Sequence, residues 1–145
     1  MKDIHSDMSV AVAIGNSTLA ADNTPAAIDL LGYDAAEIVL AIGAGGISFS
    51  GSNKIEFVLT HSDDDVTYSA VETKHMLGVA VATGGIIKSL IAPHAAAAGY
   101  RFGYKGGKRY LKLLADFSGT HGTGTPIAAL VIKGCGHDNP QANQA

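Results

Sequence analysis

The sequence predicts an all-β fold, either an antiparallel β-sandwich of the jelly-roll type or a partly closed barrel, with about eight short strands. Short segments place large apolar residues at every second position, which is the period of strands, most clearly Ile55, Phe57 and Leu59 within residues 54–61. Turn signals rich in Gly, Asn, Asp or Pro separate these segments. Hardly any segment has the 3.6-residue period of an amphipathic helix, and this combination is typical of sandwiches and barrels.

The first two thirds of the chain contain most of the predicted strands. These are residues 8–14, 24–32, 37–42, 54–61 and 85–91. The first places Val10, Val12 and Ile14 on one face, and a turn is predicted at Gly15-Asn16. Residues 24–32 fit a short helix or a short strand, and we favour the strand.

Two hairpin signals follow. Residues 62–65 are a polar turn, and residues 66–68 after it have strand composition, which implies a hairpin or a loop between sheets. Residues 100–104 and 109–117 both alternate, and the glycine-centred segment 105–108 between them is typical of a turn. The sequence therefore predicts that these two strands form a β-hairpin.

The last predicted strand is 127–132, which like 37–42 is apolar on both faces. A strand with one face in water would alternate cleanly, so the second face is expected to meet other subunits or a covering loop. We expect one β domain over residues 1–136, with an N-terminal arm at about 1–7. Residues 137–145 are expected to form a flexible C-terminal tail.

Composition narrows the class of function. The net charge is −3, only 16% of residues are charged, and the chain has a single cysteine. Lys and Arg are not in excess, so direct binding of nucleic acid is not expected. No apolar segment is long enough to cross a bilayer. The N-terminus lacks the pattern of a signal peptide, so we expect synthesis in a cytoplasm. Because so few residues are charged, we expect part of the surface to be covered by partner proteins.

No residue pattern predicts an enzyme, a cofactor or a resident metal. The segment 103–109 superficially resembles a phosphate-binding loop, but its glycine spacing is one short, Arg109 replaces the Ser or Thr, and a strand follows. Cys135 and His137 would be only half of a zinc site. The carboxylates at 63–65 could hold calcium, but a solvated turn is the favoured interpretation. We therefore expect no catalytic, cofactor-binding or metal-binding residues.

Three segments resemble small structural proteins of tailed bacteriophages and prophages. GYRFGYKGGKRYL at 99–111 resembles the "YRxGYxGGKRYxR" segment of those proteins. FVLTHSDDDVTY at 57–68 is similar to their "LQESDDGTTFT" strand and turn, and AALVIKG at 128–134 to their closing "ALVVKG" strand. The order and spacing agree over about two thirds of the chain, although Asp65 replaces the usual turn glycine.

The resemblance implies a virion protein that is made in the cytoplasm of a bacterial host, a capsid decoration or cement protein on the outer surface of the head. The expected partner is the major capsid protein, and a position on a three-fold axis would make the protein a homotrimer. Two alternatives stay open: a tail, connector or stopper component of the virion, and a β-sandwich that binds glycans or a host surface. The second would require exposed aromatic side chains near residues 63–68 or 100–104.

The predicted partner-binding residues are Lys105, Lys108, Arg109 and Tyr110. The three cations form the densest basic cluster in the sequence, in the turn between two strands. A basic cluster of this kind suits an acidic partner surface.

Overall fold

A computed structural model describes residues 3–144, which form ten β-strands and two short 3-10 helices. The helices are His5–Asp7 and Thr73–His75. The strands are β1 (Ser9–Leu19), β2 (Ile28–Asp29), β3 (Tyr33–Ile42), β4 (Lys54–Ser62), β5 (Ser69–Ala70), β6 (Met76–Leu77), β7 (Ile86–Leu90), β8 (Ala98–Tyr104), β9 (Tyr110–Ser118) and β10 (Thr125–Gly136). The all-β prediction is confirmed, and residues 24–32 contain a strand.

The strands form two antiparallel sheets packed as a sandwich. Sheet A has the order β1-β10-β3-β8-β6, and sheet B has the order β2-β9-β4-β5, with β7 also paired to β4. The chain passes between the sheets at almost every long strand, from β1 to β4 and again from β8 to β10. This alternation is the topology of a jelly roll. Within residues 3–144 the two sheets are not joined into a closed barrel.

The core lies between the sheets and is built from alternate residues of the long strands. On β4, Ile55, Phe57 and Leu59 are at most 1% exposed, as the sequence pattern predicts. They face Ile38 and Leu40 of β3 within one cluster of buried side chains. Burial of such large apolar side chains, each contributing roughly 1.5–3 kcal/mol, is the main force that holds the sheets together.

Strand β1 differs from its prediction because it does not end at Gly15-Asn16. It continues to Leu19, with irregularities in its pairing to β10 between Val12 and Ile14 and between Ile14 and Ser17. A β-bulge reverses the face on which later residues lie. Val12 is therefore 58% exposed while Ile14 is 4% exposed, so the prediction that both share one face is wrong.

The predicted hairpin between residues 100–104 and 109–117 is also wrong. Strand β8 pairs with β3 and β6 in sheet A, whereas β9 pairs with β4 and β2 in sheet B. The connecting segment 105–108 is a crossing between the sheets. Alternation and a glycine-rich turn are local signals that hairpins and sheet crossings share, and the choice depends on the strands already present in each sheet.

The other predicted hairpin exists with a shifted second strand. Residues 66–68 are not a strand, and the chain pairs with β4 only at Ser69–Ala70. The turn includes Asp65, which has a φ of 58°. Asp tolerates this left-handed conformation better than most residues, which explains how it occupies the position of the turn glycine in the phage proteins that the chain resembles.

The segment after β10 lies along the N-terminal segment. The backbone N–H of Gln141 donates to the carbonyl of Ser6 at 2.9 Å, and the side chain of Asn139 donates to Asp7 at 3.1 Å. Residues 1, 2 and 145 lie outside the described part of the chain. The flexibility of the tail stays a prediction.

Candidate partner-binding site

A cleft of about 390 Å³ lies at one end of the sandwich. Its walls are the crossing from β8 to β9, the turn from β2 to β3, Asp63 after β4 and His137 after β10. Three of the four predicted partner-binding residues, Lys105, Lys108 and Arg109, line this cleft. The structure therefore places the basic cluster in a concave site that combines segments distant in sequence.

A buried hydrogen-bond network fixes the wall that carries the lysines. The hydroxyl of Tyr104 bonds to Nδ1 of His61 at 2.8 Å and accepts the backbone N–H of Lys108 at 3.1 Å. The backbone N–H of Lys105 donates to the carbonyl of His75 at 2.8 Å. Burial lowers the pKa of His61, with smaller contributions from His75 and Lys108. These hydrogen bonds hold the segment 105–108 in place from the core side.

Two glycines allow the crossing to pass over Tyr104. Gly107 has a φ of 72°, a conformation that costs other residues roughly 1–2 kcal/mol. A Cβ on Gly106 would lie 2.5 Å from the Tyr104 ring. One glycine is required by the backbone conformation and the other by close approach to an aromatic ring.

Acidic side chains neutralise much of the basic cluster. Arg109 donates two hydrogen bonds to Asp29 at 2.8 and 2.7 Å, and these hold the pKa of the Asp29 carboxyl below its usual range. Lys108 lies 3.4 Å from Asp63. The Arg109 guanidinium also lies 4.8 Å from the ring centre of Tyr110. These contacts orient Lys108 and Arg109 toward their own chain, an arrangement that sequence reasoning did not foresee.

Lys105 is the cation of the cluster that remains free for a partner. It is exposed, and among the described residues no carboxylate lies within 4 Å of its ammonium group. Across the cleft, His137 bonds to Asp34 at 2.8 Å, and this bond raises the pKa of His137. Leu31 nearby is 67% exposed. The cleft therefore offers a free ammonium group and an apolar side chain at its rim.

A second candidate surface covers the outer side of sheet A. Its residues alternate with core residues on three adjacent strands and are Val10, Val12, Val39, Ala41, Ala128, Leu130 and Ile132; we call this surface the β1–β10–β3 face. Val12 pairs with Leu130, which in turn pairs with Val39, so the apolar side chains are contiguous. The two-sided apolar pattern of β3 and β10 gave the signal for this surface in the sequence.

The other groups considered in the sequence are arranged as follows. Within residues 3–144, no three His, Cys, Asp or Glu side chains form a cluster that could hold a metal ion. The three carboxylates at 63–65 diverge: Asp63 faces Lys108, Asp65 faces Lys112, and Asp64 accepts bonds from Ser62, Val66 and Thr67. The bonds to Asp64, chiefly from the Ser62 hydroxyl, lower its pKa.

The aromatic residues near the proposed sugar-binding loops are covered in part by lysines. The Lys112 ammonium lies 4.0 Å from the ring centre of Tyr68, and that of Lys88 lies 4.1 Å from that of Tyr100. A sugar that stacked on these faces would have to displace a cation.

Comparisons with known proteins establish no family for this chain. No family model matches it, and no curated protein matches it. Among solved structures, it is similar to the crystal structure of the SPBc2 prophage-derived protein YomS, with 11% sequence identity and a TM-score of 0.47. The match covers 88% of this chain and 92% of that chain. A likeness this weak establishes neither a family nor a function. Separately, no helix in residues 3–144 has the length and hydropathy needed to span a membrane.

Proposed function

We propose that this protein is a structural subunit of a bacteriophage virion, a capsid decoration protein that binds the outer surface of the head lattice. The observation that carries the proposal is the apolar β1–β10–β3 face. Monomeric soluble proteins rarely expose contiguous apolar patches of this kind unless they are interaction sites. The choice of a phage virion as the assembly is supported by the resemblance of three segments to phage structural proteins, residues 57–68, 99–111 and 128–134.

In this proposal the β1–β10–β3 face joins subunits into a homotrimer. Val12 is 58% exposed and Leu130 is 38% exposed in the single chain. Burial of apolar surface contributes roughly 25 cal/mol per Å², and a stable interface needs about 800 Å² from each partner. The trimer would add buried area to a shell under internal pressure without any catalytic step.

The cleft would contact the major capsid protein. Lys105 is the free cation, while Lys108, Arg109 and Tyr110 form the ordered surface beside it. An acidic capsid segment would match the ammonium group of Lys105, and an apolar side chain would match Leu31. Such complementarity favours rapid and specific docking onto the lattice.

The decisive test is cryo-electron microscopy of virions that contain this protein, with its density located and its copies counted. Density on the outer head lattice in copies that match the three-fold positions would support the proposal. A small ring at the neck or tail would refute the capsid role and support the connector alternative. No density in the particle would refute a virion role altogether.

A solution experiment tests the two surfaces separately. Leu130→Glu would place a charge at the centre of the β1–β10–β3 face, and we expect it to convert a trimer into monomers in sedimentation velocity. Val66→Glu is the matched control because Val66 is 81% exposed and lies off that face. Lys105→Glu should weaken binding to undecorated capsids, with Lys74→Glu as control. A parent chain that is monomeric and variants that bind capsids normally would contradict both assignments.

A further inference from the structure

Strand β1 is the edge strand of sheet A, and its outer edge is covered by Gln144. Strand β1 pairs with β10 on one side only. The backbone N–H of Val10 donates to Oε1 of Gln144 at 2.7 Å, and Nε2 of Gln144 donates to the carbonyl of Val10 at 2.9 Å. A primary amide offers one donor and one acceptor, the same pair that a strand residue would offer. Gln144 thus occupies the place of a neighbouring strand.

The edge has few of the usual protections against pairing with another chain. Edge strands are commonly blocked by charged residues, prolines or bulges. Strand β1 contains no charged residue and no proline between Ser9 and Leu19. Its irregular pairing begins after Val12, so bulges distort the later part of the edge and leave residues 9–12 regular. Over those residues Gln144 is the protection that the described chain provides.

The segment that carries Gln144, which we call the strap (residues 137–144), is held weakly. The strap bonds to the rest of the chain at several points: His137 to the Gly32 carbonyl and Asp34, Gln141 to Ser6 and the Tyr33 hydroxyl, Asn139 to Asp7, and Asn143 to His5. Most of these bonds lie at the surface, and each contributes about 0.5–1.5 kcal/mol net. Ordering the backbone costs about 1–2 kcal/mol for each residue. The two quantities are comparable, so a competing strand can displace the strap.

We propose that the edge of residues 9–12 is a self-association surface on which β1 of a second copy replaces the strap. Backbone groups of alternate residues point to the same edge, so the N–H and carbonyl groups of Val12 face outward with those of Val10. An antiparallel pair centred on Ala11 would match Val10 of each copy with Val12 of the other. This two-fold contact forms about four hydrogen bonds and makes sheet A continuous across both copies.

A second copy fits this edge better than a strand of unrelated sequence. Both edges are uncharged, so antiparallel self-pairing brings no like charges into opposition. Each copy also contributes Val10 and Val12 to the outer side of the joined sheet, where they continue the β1–β10–β3 face. The inference does not depend on a virion role, because it concerns the backbone edge of β1.

Sedimentation velocity across a concentration series tests the proposal. The parent chain is compared with Gln144→Ala and with a chain that ends at Gly136. Both changes should strengthen the two-fold association between copies. The main species should have twice the mass of the species that the parent forms, and the dissociation constant of the two-fold contact should fall by about tenfold. Asn143→Ala is the control: it removes one strap bond, to His5, and leaves both Gln144 bonds to β1 in place, so it should lower the constant less than Gln144→Ala does.

Val12→Pro in the chain that ends at Gly136 removes an outward N–H group and should abolish the added association. Amide hydrogen exchange at Val10 and Val12 gives a second measurement: the Val10 amide should exchange faster in dilute Gln144→Ala and become protected at high concentration. Unchanged masses, or association that survives Val12→Pro in a folded chain, would overturn the proposal. Concentration-independent exchange at both amides would overturn it as well.

Discussion

Tyr104→Phe is the substitution that most directly tests how the lysine-bearing loop is supported. The change keeps the ring but removes the hydroxyl that bonds to His61 at 2.8 Å and to the Lys108 backbone at 3.1 Å. His61 is 2% exposed, so its Nδ1 would have no water to replace the lost partner. A buried polar group left without a hydrogen bond costs about 1–3 kcal/mol. The Lys108 amide lies nearer the surface and should lose less.

We therefore expect Tyr104→Phe to lower the free energy of unfolding by about 2 kcal/mol, which corresponds to a decrease in Tm of about 4–8 °C. Urea denaturation at pH 7.5 measures the first quantity, and differential scanning calorimetry measures the second. Tyr33→Phe is the matched control because the Tyr33 hydroxyl bonds to Gln141 outside the core, and it should cost less than about 0.5 kcal/mol.

A double-mutant cycle separates the hydrogen bond from general effects of the substitution. His61→Phe and Tyr104→Phe together remove both partners, so the combined variant should be more stable than the sum of the single losses predicts by about 1 kcal/mol. A Tyr104→Phe chain within about 0.5 kcal/mol of the parent, or a cycle with no coupling, would refute the account of a buried network beneath the cleft.

Two further predictions concern the same region. Burial depresses the pKa of His61 in the folded chain, so as pH falls through about 6.5 the unfolded chain binds a proton that the folded chain does not, and stability should decrease. The pKa of His137 is raised, so its effect on the pH dependence of stability has the opposite sign. The experiment therefore compares His137→Gln with the double variant His61→Gln/His137→Gln by urea denaturation. If both chains lose the same stability between pH 7.5 and about 5.5, the prediction for His61 is contradicted. Gly106→Ala should lower the free energy of unfolding by about 1–3 kcal/mol, because the new Cβ would collide with the Tyr104 ring. Gly107→Ala should lower it by about 1 kcal/mol, because Gly107 has a positive φ. The loss at Gly106 should therefore be at least as large as the loss at Gly107. Thermal denaturation that shows Gly106→Ala to be harmless would contradict the close-approach argument.

The candidate surfaces differ in how far the sequence could reveal them. The basic cluster was visible as sequence neighbours, and so was the two-sided apolar pattern of β3 and β10. The ion pairs of these cations were not visible in the sequence, because Asp29 lies 80 positions from Arg109 and Asp63 lies 45 positions from Lys108. The contact of Gln144 with Val10 spans 134 positions and has no local pattern at all.

The sequence by itself determined the fold class and most of the strands. On β4 the recurrence of Ile55, Phe57 and Leu59 at every second position is sufficient, because the two-residue period of a strand depends only on the local backbone. The left-handed turn was also visible in part, since Asp65 stands where the phage sequences that the chain resembles have glycine.

Only the tertiary structure decided which strands pair and where β1 is irregular. Strands β8 and β9 have the sequence of a hairpin, yet they join different sheets because β3 and β4 provide longer partners on opposite sides of the core. The bulges of β1 depend on its fit to β10, and they decide that Val12 faces outward while Ile14 faces the core. Pairing is a competition among segments distant in the chain, so its outcome is fixed by the whole set of strands and their shared core.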